Sequence, residues 1–286
     1  MSAEVITIIL MTFIITLAHF CEVHGPSMIM CTQVVSSQDV PHDHYGSKIS
    51  AGQLCESCQL SIPSNFTKEA RVTGKQNSEL TLRPSSPQTS KTSLSTGSES
   101  SKDMEQGADT SRIKLIEPSA IQTKSMTSDC IFISTQFPTS QARYSSLRHI
   151  IMRVFTIETS SDIDKPLLFG DRNTGYSMTL LFKLYDKTAR GSERKYALIV
   201  TSDKEEEIFQ NYSIILVNLT EIVKKISKRA VCNDERRARM DANSNEIYLR
   251  RSTNVPKPKG LAIIMDDAYF FVRLHLLFSL LLDQLK

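Results

Sequence analysis

Between about Ser36 and Thr127 the chain loses every hydrophobic period, and this gap constrains the fold more than any other feature. Ser85 to Ser101 is mostly serine and threonine, Pro84 and Pro87 punctuate the stretch, and aromatic residues almost vanish from it. Such a segment cannot bury enough apolar surface to offset the entropy of ordering its backbone. Residues 36–127 therefore read as one long disordered insertion, with Ser86-Pro87 and the dense hydroxyls suited to phosphorylation. Whatever folds must combine residues 11–35 with residues 128–286, and 1–10 reads as an extension or a wrongly chosen start.

The remaining composition narrows the function classes. Thirty-four Lys and Arg against 31 Asp and Glu leave a net charge of +3, too small for a clustered nucleic-acid footprint. Six cysteines in 286 residues are too sparse for a disulfide framework, so a reducing compartment is expected. Val5 to Leu17 is nearly all apolar, but no Lys or Arg precedes it and it is short for a bilayer span. With His24-Gly25-Pro26 and the second run Met28 to Val35, it reads as strand, turn and strand rather than a signal peptide. The sequons at Asn65, Asn211 and Asn218 keep a secreted glycoprotein open as a further reading.

Order is expected to return near Cys130. Tyr144, Leu147, Ile151, Val154 and Phe155 fall on one face of a helix over Gln141 to Glu158. Pro166 to Gly170, Tyr176 to Tyr185 and Lys195 to Thr201 read as a three-strand meander, with Thr188 to Ser192 as the connection before its last strand. Ile215, Leu219, Ile222, Val223 and Ile226 predict a second helix, with Lys224, Lys225, Lys228 and Arg229 late in it. A basic loop from Arg236 to Lys259 precedes a last, very apolar helix over Asp266 to Gln284, whose excess apolar surface suggests a partner. The fold class is α+β: a five-stranded antiparallel sheet covered by helices.

That element order is similar to a longin domain. His19-Phe20-Cys21-Glu22-Val23-His24-Gly25-Pro26, followed by Cys31-Thr32, resembles the opening of the folliculin family. Cys55-Glu56-Ser57-Cys58, Phe169-Gly170-Asp171 with Gly175-Tyr176, and Thr188-Ala189-Arg190-Gly191 with Arg194 and Tyr196 recur in the family's order. The resemblance is to the short fungal folliculin-like subunits, which lack the large C-terminal DENN module. It implies a GTPase-activating subunit for a Rag-family GTPase heterodimer, working with a folliculin-interacting-type longin/DENN partner in amino-acid signalling to the TOR kinase complex. The implied location is cytoplasmic, at the cytosolic face of the vacuolar or lysosomal membrane, with membrane contact through partners only. Arg190 matches the family's catalytic arginine, which would make the chain an enzyme regulator rather than an enzyme.

Two readings of Arg190 stay open: an arginine finger, or a solvated loop cation on a non-catalytic longin adaptor. Arg194 and Lys195 read as supporting charges or surface residues. Cys55 and Cys58 have the spacing of half a zinc site, but His42 and His44 do not supply a second pair, so no metal is expected. His24 reads as a turn residue. No GxxxxGK[ST] loop is present, and no cofactor is expected.

Overall fold

The computed structural model describes residues 13–36, 54–63, 113–117, 120–125, 127–156, 165–243 and 258–285. Residues 1–10 and most of the 36–127 stretch, including Ser86 and the sequon at Asn65, lie outside them.

The first two strands, β1 (Ile14–Cys21) and β2 (Gly25–Ser36), pair antiparallel across the His24-Gly25 turn. Gly25 has φ +74°, a conformation an L side chain rarely adopts, so glycine at this point sets the tight reversal. Next come β3 (Ile113–Glu117), β4 (Ala120–Lys124) and β5 (Cys130–Thr135). Helix α1 (Gln141–Thr156) leads to β6 (Leu167–Asp171), β7 (Gly175–Tyr185) and β8 (Glu193–Ser202). The chain ends in α2 (Glu205–Gln210), α3 (Tyr212–Asn243), α4 (Leu261–Ile264) and α5 (Phe270–Gln284).

All eight strands join one antiparallel sheet in the order β3-β4-β5-β2-β1-β8-β7-β6. The five-strand expectation is corrected: β3, β4 and β5 extend the sheet beyond β2. Two of those strands, with a 3-10 turn at Glu56–Cys58, fall inside the stretch read as wholly disordered. Order there is tertiary in origin. Ala120-Ile121-Gln122-Thr123-Lys124 has little apolar content of its own, yet Ala120 and Ile121 are fully buried beneath α5 and the adjoining strand.

Helices cover both faces of the sheet. Ile14, Ala18, Met28, Cys31, Ala197 and Ile199 pack with Leu147, Ile150, Ile151, Val154 and Phe155 of α1. Ile15, Leu17, Met178, Leu180, Phe182, Leu198 and Val200 meet α3, α4 and α5 on the opposite face. Burial on both sides explains why β1, β7 and β8 read as nearly continuous apolar runs. A register shift in the β1–β2 pairing lets Ile29 and Met30 both face the α3 layer while Met28 and Cys31 face α1.

Two helical expectations are also corrected. The second long helix does not end near Arg229 but runs to Asn243, so Arg236 to Asn243 is helix and not loop. Its cations are held by ion pairs rather than by the helix C-terminus: Arg229 Nη2 lies 3.3 Å from Asp267 Oδ2, and Arg236 pairs with Asp266. The last helix starts at Phe270, because Asp266, with φ 48°, belongs to the preceding turn. Most of its apolar surface is met within the chain, where Phe270, Phe271, Leu274, Phe278, Leu281 and Leu282 are buried in the core, while Leu280 is exposed. No helix among the described residues is long and apolar enough to cross a membrane.

Candidate functional site

Arg190 sits in the connection from β7 to β8, at the end of the sheet that also carries the β1–β2 turn. That connection is tightly determined. Asp186 N–H donates to Ser192 O at 3.0 Å, Ala189 N–H to Asp186 O at 2.9 Å, and Ser192 N–H to Ala189 O at 3.0 Å. Gly191 (φ 70°) and Ser192 (φ 58°) both lie in the left-handed region, which turns the chain sharply back into β8. The Arg190 backbone N–H donates to Glu22 of the β1–β2 turn, while its side chain is exposed. Among the described residues, none makes an ion pair or hydrogen bond with its guanidinium.

Arg194 lies beneath the same loop. Of the two readings, supporting charge or surface residue, its position fits the first: its side chain is 8% exposed and its Nε donates to Asp186 Oδ2 at 2.6 Å. The Asp186 carboxylate also accepts from Thr188 N–H at 3.0 Å and Thr188 Oγ1 at 2.8 Å, with Lys259 Nζ 3.8 Å away. Burial alone would raise the Asp186 carboxyl, but the Arg194 and Thr188 hydrogen bonds outweigh it and hold the group below the ordinary carboxylate range. Asp186 and Arg194 form the buried strut of the loop that displays Arg190. Lys195 is half-buried on β8.

Beside this loop the structure gathers four side chains that the sequence left apart. Cys21 ends β1, His24 lies in the β1–β2 turn, Cys55 precedes the 3-10 turn and Cys58 ends it, and that turn packs against β1 and β2. Their ligand atoms all lie within 4.8 Å of one another. His19 Nε2 is 3.2 Å from Cys58 Sγ, and the His19 ring stacks on Tyr196 of β8 at 5.9 Å between centroids. Burial pulls His19 down to about 4, so its ring is neutral at pH 7. Hydrogen bonding from Cys58, then backbone N–H groups, hold the Cys21 thiol well below its usual range against the opposing effect of burial; the same contact pushes Cys58 up. Gln136 Nε2 donates to Cys58 O at 2.7 Å and fixes the 3-10 turn from the β5 side.

The structure brings Cys21 and His24 beside Cys55 and Cys58; His42 and His44 lie outside the described residues. The signal was available, since Cys21-x-x-His24 repeats the two-residue gap of Cys55-x-x-Cys58. A turn reading of His24 concealed it.

Residues 130–285 match the folliculin family profile, described as a vesicle coat protein involved in Golgi to plasma membrane transport. Protein LST7 of Saccharomyces cerevisiae is 25% identical over 276 residues, covering 92% of this chain and 91% of the relative. The Folliculin-like protein bhd1 of Schizosaccharomyces pombe is 28% identical, covering 87% of this chain and 79% of its own length. Human Folliculin is 24% identical over 95% of this chain, a span that is 45% of its own length.

Proposed function

The chain belongs to the folliculin family, and from that premise we propose that it is a GTPase-activating subunit for a Rag-family GTPase, with Arg190 as the arginine supplied in trans. In this reading the two-faced sandwich is longin-like, the working unit is a heterodimer with a folliculin-interacting-type protein, and it acts at the cytosolic face of the vacuolar membrane in amino-acid signalling to the TOR kinase complex. The observation that carries the proposal is Arg190 itself: an exposed guanidinium without a partner among the described residues, on a loop whose backbone is fixed by Asp186, Arg194 and Glu22.

The chemistry suits that arrangement. Phosphoryl transfer spreads negative charge over the γ-phosphate oxygens, and a planar guanidinium can hold two of them at once. A finger is most effective when its backbone is already ordered, because little entropy is then lost on engagement. The chain contributes no phosphate-binding loop of its own, so the nucleotide belongs to the partner GTPase.

Single-turnover GTP hydrolysis by Rag heterodimers, at saturating complex, tests the role. Arg190→Ala is expected to lower the rate constant on the order of a thousand-fold with assembly unchanged, and Arg190→Lys to recover little of it. Wild-type rates from an assembled Arg190→Ala complex would reject the finger. They would leave the second reading, a non-catalytic longin adaptor in trafficking, which the family's description as a vesicle coat protein favours.

A further inference from the structure

We infer that Cys21, His24, Cys55 and Cys58 form a structural zinc site that fastens residues 54–63 to the β1–β2 turn. The argument begins with the shape of the cluster. Cys21 Sγ lies 3.5 Å from Cys55 Sγ, and Cys55 Sγ lies 3.6 Å from Cys58 Sγ. His24 Nδ1 lies 3.7 Å from Cys21 Sγ and 3.4 Å from Cys58 Sγ. A tetrahedral zinc ion bound at about 2.3 Å by sulfur and about 2.05 Å by nitrogen requires edges of about 3.8 Å between sulfurs and about 3.6 Å from sulfur to nitrogen. Four edges of the observed cluster thus match the tetrahedron to within a few tenths of an ångström. Disulfide formation would need one sulfur pair to close to about 2.05 Å, and all four side chains are instead arranged around a common centre.

The donor set selects the metal. Three thiolates and one imidazole in tetrahedral array are suited to zinc, whereas oxygen-rich octahedral sites suit magnesium or calcium. Four protein ligands leave no open coordination position, so the site is structural and not hydrolytic. The surrounding donors fit thiolate ligands as well. Val23 N–H points at Cys21 Sγ from 3.4 Å, Ser57 Oγ lies 3.1 Å from Cys55 Sγ, and His19 Nε2 approaches Cys58 Sγ. Such contacts orient sulfur ligands and spread their charge.

The consequence reaches Arg190. Glu22, which accepts the Arg190 backbone N–H, lies between ligands Cys21 and His24 in the chain. The same clip holds the Glu56 backbone against the chain at Gly260, where an added Cβ would come within 3.2 Å of Glu56 O. One ion therefore ties together β1, the stretch between β2 and β3, and the platform beneath the Arg190 loop. The inference stands whether or not Arg190 is a finger.

The test uses the full chain, purified without chelators or a histidine tag, with metal content read by plasma mass spectrometry. One zinc per chain is expected for the wild type and for Cys232→Ser, whose cysteine is exposed on α3; Cys55→Ser with Cys58→Ser is expected to lose it. Because the double variant loses a fastening and can fail to fold, a second measurement uses wild-type protein alone. Cobalt(II) added to the zinc-depleted chain should give thiolate-to-metal charge-transfer bands and tetrahedral d–d bands, both abolished by one equivalent of zinc. Folded wild-type protein without zinc and without those bands would overturn the site. So would a Cys55–Cys58 or Cys21–Cys55 disulfide found by non-reducing peptide mapping of the folded chain, or unchanged zinc content in a folded double variant.

Discussion

Two arginines four residues apart divide the work at the β7–β8 connection, and burial decides which does which. Arg190 is exposed and makes no fold contact through its guanidinium among the described residues, so Arg190→Ala should change stability by no more than about 0.5 kcal/mol. Arg194 neutralises a carboxylate that is itself 5% exposed. Its removal leaves Asp186 with only Thr188 and the more distant Lys259, and breaking a buried pair from one side costs about 3–5 kcal/mol. Arg194→Ala is therefore expected to shift the urea midpoint strongly and, on the proposed function, to lower GTPase activation only through loss of folded protein. Equal stability losses for the two variants would contradict the division. The sequence supports Arg190 through the Thr188-Ala189-Arg190-Gly191 match, but it cannot distinguish a buried Arg194 from a surface one. The difference arises because Asp186, eight residues away and on the far side of the turn, folds back onto it.

At the scale of elements, what was legible follows from periodicity, and what was not follows from contacts made at long range. β2, β7, β8 and α1 carry their own apolar patterns and stand close to where those patterns place them, whereas β1 spans Ile14–Cys21, toward the turn from the expected Val5 to Leu17 run, whose first residues lie outside the described ones. β4 carries none; it is held by a histidine 152 residues away. His275 of α5 is fully buried, with Nε2 2.6 Å from Thr123 Oγ1 on β4 and Nδ1 2.6 Å from Ser134 Oγ on β5. Ser134 in turn meets Thr32 Oγ1 of β2 at 2.6 Å, so a polar chain crosses three strands under an otherwise apolar helix. The site divides in the same way: Cys55 and Cys58 announce themselves, but the fold must bring Cys21 and His24 to them. Burial pulls His275 down from 6.5 to about 3, so the folded protein keeps it neutral. A depressed histidine binds its proton more readily in the unfolded chain. Its contribution is therefore complete above pH 7 and is lost as pH falls below 6.5, by roughly 2 kcal/mol at pH 5. His275→Leu should be less stable than wild type at pH 7.5, because Thr123 and Ser134 lose a partner, yet fall less steeply with acid. Urea midpoints at pH 7.5 and pH 5 should converge for the two proteins; parallel pH dependence would show that His275 does not carry the acid sensitivity.

Across the whole molecule, the chain leaves the sheet after β2 and returns to it at β3, and the stretch between is anchored where residues 54–63 pack. Leu60 enters the main core, Ile62 packs against it and Cys58 is buried beside His19, so this short segment is part of the fold. The Ser/Thr-rich stretch makes a different case. Gln88 to Ser101 carries a single large apolar side chain, Leu94, and shortening a long connection changes its closure entropy by only a few tenths of a kcal/mol. Excising Gln88 to Ser101 is therefore expected to leave the unfolding midpoint within about 0.5 kcal/mol of wild type. Excising residues 54–63 should instead remove Leu60 from the core, free the Cys21 and His24 side chains from their neighbours, and unseat Gly260, with a loss of several kcal/mol from the core truncation alone. Thermal unfolding of the two deletion variants beside the intact chain decides the matter. A large loss on excising Gln88 to Ser101 would mean that this stretch packs on the sandwich, and an unchanged midpoint on excising 54–63 would mean that the segment only rests on it.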